Sequence, residues 1–140
     1  MVDKELVSRK LSQLRGYVDE LRRAKDITWA KYRSDLRAKA FVERYIHLAI
    51  EEVIDIANHL VSFYQWREPT SFCDLFTILE EHGVLPADQL PLFQNMASFR
   101  NVLVHRYESV DDELVFGIFK NRLGDFDRFI ELVSQWVNMI

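Results

Sequence analysis

The stretch from Arg100 to Tyr107 reads Arg-Asn-Val-Leu-Val-His-Arg-Tyr and gathers the densest set of chemically useful side chains in the sequence. Histidine has an unperturbed pKa near neutrality, so His105 suits the removal of a hydroxyl proton at physiological pH. A guanidinium donates two parallel hydrogen bonds to phosphate oxygens, so Arg100 suits a phosphorus centre that gains negative charge under attack. Asn101 precedes His105 by four residues and shares its helix face, where it can orient the imidazole or hold a phosphate oxygen. Arg106 adds a cation that can help bind RNA. Together these groups suit RNA cleavage in which a 2′-hydroxyl attacks the neighbouring phosphorus, with no metal and no cofactor. A structural reading stays open beside the chemical one: a histidine at a helix C-terminus is favoured by the helix dipole, and a tyrosine can cover the last turn.

Arg100 and His105 are five residues apart, about 140° around a straight helix, so they do not meet side by side in one chain. On a helix over about 90–105, Leu92, Met96, Phe99 and Leu103 form the expected core stripe. Gln94, Ser98, Asn101 and His105 lie roughly opposite, with Arg100 on the flank. The outward side also carries Ala97, Val102 and Val104, which suggests neither a charged solvated face nor a second core within the chain. A homodimer through this helix is therefore expected, and its two-fold axis would bring Arg100 and His105 of both copies to one phosphodiester.

The elements that must hold this segment are helical. Leu6, Leu11, Leu14, Val18 and Leu21 make one stripe on a first helix from about Asp3 to Lys25. A less regular stretch over about 26–34 follows, and Ser34 or Asp35 offers an N-cap for a long second helix to about Tyr64. Its arc of Phe41, Tyr45, Leu48, Ala49, Val53, Ile56 and Leu60, widened by Ile46, Ile50, Ile54 and Val61, requires cover on more than one side. Ser71 caps a short helix over Phe72–His82 that stops at Gly83. Pro86 and Pro91 mark the entry to the helix that carries Arg100. Asp111, Asp112 and Glu113 open a last helix whose expected core positions are Leu114, Ile118, Leu123, Phe126, Ile130, Val133 and Val137. The predicted fold is all-α: one domain over 1–140, an up-and-down four-helix bundle with one extra short helix.

Composition sets bounds on function. With 49% apolar residues, 4 Gly and 3 Pro in 140, the chain has few of the turn residues a sheet protein needs. A net charge of -4 argues against non-specific binding along a nucleic-acid backbone, so contact with RNA must be local. The N-terminal residues show no secretory pattern, and no apolar run approaches the roughly 18 to 20 residues of a membrane span. A cytoplasmic protein without membrane contact is expected, and the lone Cys73, which rules out an intrachain disulfide, fits a reducing compartment.

Around Arg100 the sequence resembles the HEPN superfamily and, within it, the HepT-like branch. The signature R-x4-H-x-Y stands here as Arg100, His105 and Tyr107. The likeness runs along essentially the whole chain, from the charged first helix through AFVERYIHLAIEEVIDIANHLV to FRNVLVHRY. The resemblance implies a HEPN-like bundle acting as a dimeric toxin, an endoribonuclease of a toxin-antitoxin system with Arg100 and His105 in its active site. It further implies a cognate antitoxin, a minimal nucleotidyltransferase that transfers AMP from ATP to Tyr107. Adenylate at that position would place charge and bulk where RNA enters. An alternative uses the same cleft: a non-catalytic nucleotide- or substrate-binding subunit of that nucleotidyltransferase. A purely structural dimeric bundle is the third reading.

Other polar residues suggest less. Glu52, Asp55 and His59 fall within about 60° on the second helix and read as support for the site, a solvated edge or a buried hydrogen-bond network. His47 and His82 stand isolated in the sequence, so no metal is expected. Trp29, Trp66 and Trp136 read as packing residues. No glycine-rich phosphate loop is present, which argues against a kinase or nucleotidyltransferase.

Overall fold

Five helix starts are fixed by a side-chain oxygen that accepts from a backbone N–H of the first turn, each cap contributing about 0.5–2 kcal/mol. Asp3 opens α1 (Lys4–Arg23), Thr28 opens α2 (Trp29–Ser34) and Asp35 opens α3 (Leu36–Phe63). Ser71 opens α4 (Phe72–Glu81) and Asp111 opens α6 (Asp112–Asn121). Between these last two, a 3₁₀ turn over Ala87–Gln89 leads into α5 (Leu90–His105), and α7 (Leu123–Met139) completes the chain. Pro91 falls in the first turn of α5, where its missing N–H is not needed. The computed structural model describes residues 3–105 and 111–140, and among them there is no strand.

The long helix α3 is the axis of the fold. It packs against α1, α2, α4, α5, α6 and α7, which provides the cover its wide apolar arc demands. Val42, Ile46, Val53, Ile56 and Leu60 are wholly enclosed, each stabilising the fold by about 1.5–3 kcal/mol. Helix α1 runs antiparallel to α3, since Lys10 meets Glu52 and Asp55 while Tyr17 meets Tyr45. It also runs antiparallel to α7, tied by Lys4 to the Ile140 carbonyl at one end and Arg22 to Asp127 at the other. A cluster of Phe76, Phe93 and Phe129 joins α4, α5 and α7.

Three expectations need correction. The stretch over 26–34 contains the short helix α2, whose Trp29 and Tyr32 pack on Phe116 of α6. The last helix is broken at Arg122 into α6 and α7. The break lets α6 lie on α2 and α3 while α7 turns to α1. It also rotates the α6 face, so that Val115 and Phe119 are buried, Ile118 is half-buried and Leu114 is exposed. On α5, Met96 and Phe99 are buried as expected, but so are Phe93 and Ala97, while Leu92 and Leu103 are half-buried. Ala97 belongs to a second packing face within the chain, because α4 lies along it: Gln94 donates to Thr77 at 3.0 Å and Cys73 lies 3.5 Å from Ser98. Much of the side expected to await a partner is thus occupied by α4. No helix among the described residues is long and apolar enough to cross a membrane.

Candidate active site

Arg100 is held by three elements. Its Nε donates to Glu51 Oε1 of α3 at 2.6 Å, and its guanidinium carbon lies 4.9 Å from the ring centre of Phe72, the first residue of α4. One Nη reaches Asn101 Oδ1, its neighbour on α5, at 3.4 Å. The first contact is a charge-assisted hydrogen bond and the second a cation–π contact. With 21% of its side chain exposed, Arg100 is a fixed cation rather than a freely swinging one. Glu51 has a second neighbour, because its Oε1 lies 3.2 Å from His47 Nε2 one turn earlier.

A shallow depression of about 460 Å³ opens beside this guanidinium. Asn58 of α3, the run Pro69–Phe72, Leu75 and Asn101 border it with Arg100. Its wall over 67–72 is pinned from behind. Arg67 forks Asp74 at 2.7 and 2.8 Å and also donates to Glu81 at 2.9 Å, while Asp74 accepts from the Thr70 backbone N–H at 3.0 Å. The Arg67 bonds, with that backbone N–H, hold the Asp74 carboxyl well below the usual carboxylate range, and Arg67 depresses Glu81 as well.

Of the residues expected in the site, Arg100 and Asn101 are brought together, and Asn101 is exposed. His105 is the last residue of α5, about 7.5 Å along the helix axis from Arg100 at 1.5 Å per residue. The His105 side chain, Arg106 and Tyr107 lie outside what the structure describes. The strip of Glu52, Asp55 and His59 is not part of the site. Its two carboxylates face α1, where Lys10 Nζ lies 3.9 Å from each, and burial raises the Glu52 carboxyl above its ordinary value.

Sequence reasoning missed Glu51, His47, Asn58 and Phe72. His47 is not isolated, since it shares Glu51 with Arg100. His82 is not isolated either, because its ring stacks on Trp66 at 3.9 Å. A signal existed for the α3 residues: positions 47, 51 and 58 fall within about 40° of one another on a helical wheel. Nothing in the sequence marks Phe72, whose role depends on how α4 meets α5.

A model of the family described as ribonuclease HepT-like matches residues 14–133. The chain belongs to this family. The HepT-like chain is 27% identical to the mRNA nuclease HepT of Shewanella oneidensis, over 75% of its own length and 79% of the relative's. It is 21% identical to the tRNA nuclease HepT of Aphanizomenon flos-aquae, over 97% and 92% of the two lengths. Its fold matches the tri-AMPylated Shewanella oneidensis HEPN toxin solved in complex with an MNT antitoxin, at a TM-score of 0.84 and 23% identity, covering 96% of this chain and 99% of that one. The HEPN-like helical bundle and the HepT-like membership expected from R-x4-H-x-Y are both met.

Proposed function

We propose that this HepT-like ribonuclease is the toxin of a toxin-antitoxin pair and cleaves RNA without a metal, through Arg100 and His105. The observation that carries the reading is the fixed guanidinium. Glu51 engages Nε and the Phe72 ring lies against the guanidinium, so its orientation is set before substrate arrives, and a preorganised donor needs no rearrangement as charge develops. His105 removes the 2′-hydroxyl proton, and the 2′-oxygen attacks phosphorus. The bond to the 5′-oxygen breaks, and that oxygen takes up a proton and departs as a hydroxyl. The products carry a 2′,3′-cyclic phosphate and a 5′-hydroxyl. Arg100 stabilises the charge on the phosphorane oxygens, Asn101 holds a phosphate oxygen beside it, and Arg106 adds attraction for the RNA backbone.

Two copies of the chain form the working unit in this reading, with α5 near the two-fold axis. Support comes from half-buried Val102 and Val104 on α5 and from exposed Leu114 on α6, apolar surface that a second copy can cover. The relative with a matching fold was solved tri-AMPylated and bound to an antitoxin. By analogy, a cognate minimal nucleotidyltransferase transfers AMP from ATP to the Tyr107 hydroxyl in the cytoplasm, releasing pyrophosphate, and the adenylate keeps RNA out.

Purified, unmodified protein incubated in EDTA with end-labelled RNA tests the chemistry. Wild type should give 2′,3′-cyclic phosphate ends, while His105→Ala and Arg100→Ala should not. Absence of cleavage by wild type across varied RNAs, with mass spectrometry showing no adenylate, overturns the nuclease mechanism in favour of a binding subunit.

A further inference from the structure

We infer that the depression between α3, the 67–72 wall and α5 is a base-reading subsite that takes one unstacked nucleobase flanking the scissile phosphate. The inference rests on the nuclease reading for its substrate and on the lining of the depression for its selectivity. Several polar groups of that lining are already engaged. Thr70 gives its N–H and hydroxyl to Asp74, and the Ser71 hydroxyl accepts from the Asp74 N–H. The Asp74 carboxylate is turned to Arg67, whose charge, shared with Glu81, offsets part of the repulsion it would present to an anionic polymer. Among the described residues, the Asn58 amide has no partner, and the Asn101 amide has only the 3.4 Å contact with Arg100 through its oxygen.

An amide sets one acceptor beside two donors, the same vocabulary that the edge of a base presents. Half-buried Pro69 and Phe72 supply apolar surface beside the base, over a floor that buried Leu75 closes, and Arg100 stands at the border where the attached phosphate must lie. The wall does not have to form around the ligand. Arg67 ties the loop to both ends of α4, so little ordering cost falls on binding. Asn58 reaches this place from α3, one helix away from Arg100, so it can select a base without being the group that grips the phosphate. A base can enter only when it is splayed out of a stack, which assigns single-stranded RNA or loops as the substrate class.

The test varies one nucleotide at a time on each side of the cut in short RNAs and measures single-turnover cleavage by wild type and Asn58→Ala. Wild type should prefer one base at one flanking position, and the variant should lower that preference about tenfold, mainly through KM, as loss of one hydrogen bond implies. An unchanged base profile in Asn58→Ala overturns the subsite. A second measurement does not depend on cutting: binding of the four nucleoside 3′-monophosphates to His105→Ala protein and to His105→Ala with Asn58→Ala. Selective binding that Asn58→Ala abolishes supports the subsite even if wild type cuts no RNA, an outcome that overturns only the nuclease mechanism. Equal binding of all four nucleotides with Asn58 intact overturns the subsite while leaving that mechanism standing. Asn58 is exposed, so its truncation leaves the core intact; Asn58→Ser serves as a second variant if the first does not fold.

Discussion

Glu51 faces α5 and accepts a 2.6 Å bond from Arg100, whereas Glu52, rotated by about 100° on the same helix, faces α1 and finds its nearest cation, Lys10, at 3.9 Å. Glu51 keeps 36% of its side chain exposed and Glu52 only 10%, so the better-paired carboxylate is the more exposed one. Burial raises the Glu52 carboxyl, with Lys10 opposing that shift. The contrast teaches that charge on α3 is spent for two ends: on one side it aims a guanidinium, and on the other it is tolerated at a cost to stability.

The largest effect should come from Arg100→Lys. An ammonium cannot keep the Glu51 bond and fork a phosphate at once, so cleavage should fall roughly 10²- to 10³-fold while the helical circular dichroism stays unchanged. Glu51→Gln should lower cleavage by about tenfold to a hundredfold with little change in melting temperature, since the side chain is partly exposed and the loss is one of orientation. A cleavage rate equal to wild type would break the comparison at its functional end. Lys10→Met should act at the other end, costing about 1 kcal/mol in urea unfolding because Glu52 is left buried without a cation, and leaving cleavage alone.

The smallest effects are in pH dependence. The folded-state pKa of Glu52 is raised, so the native protein binds that proton more tightly than the unfolded chain, and stability declines as pH rises from about 4 through the raised value. Glu52→Gln should remove that decline. Asp74 has the opposite sign: its depressed pKa stabilises the fold above about 3.9, and this is lost as pH falls below that value. Asp74→Asn should flatten the acid limb of the unfolding profile, and a limb as steep as wild type would show that the Arg67 fork contributes nothing.

Helix identity was legible wherever a cap met a periodic stripe. Asp35 and Ser71 mark their helices to within a residue, and Gly83, with φ of 80°, ends α4 where a left-handed residue is required. The break at Arg122 was not legible, because apolar residues continue at helical spacing on both sides of it and only the docking of α6 and α7 on different neighbours decides the matter. Ala97 misled for a similar reason: small, apolar and opposite the main stripe, it fits a partner surface or a second face within the chain, and the position of α4 chooses between them. Within the site, Arg100 and Asn101 announce themselves through phosphate chemistry. Glu51 stayed hidden because its neighbour Glu52 completes a more conspicuous i, i+3, i+7 pattern with Asp55 and His59, and pattern alone does not say which side of α3 meets α5.

The indole of Trp66 stacks on the rings of both Tyr64 and His82, and Trp136 packs against it at a steep angle. Trp66 also stands directly before Arg67, the residue that pins the wall of the depression. The protein therefore carries its own optical label. Any event that loosens the corner where α3, α4 and α7 meet unstacks Trp66 and changes the surroundings of its indole, so with Trp29 and Trp136 replaced by Phe the integrity of that wall can be followed by the emission of Trp66 without attaching a dye.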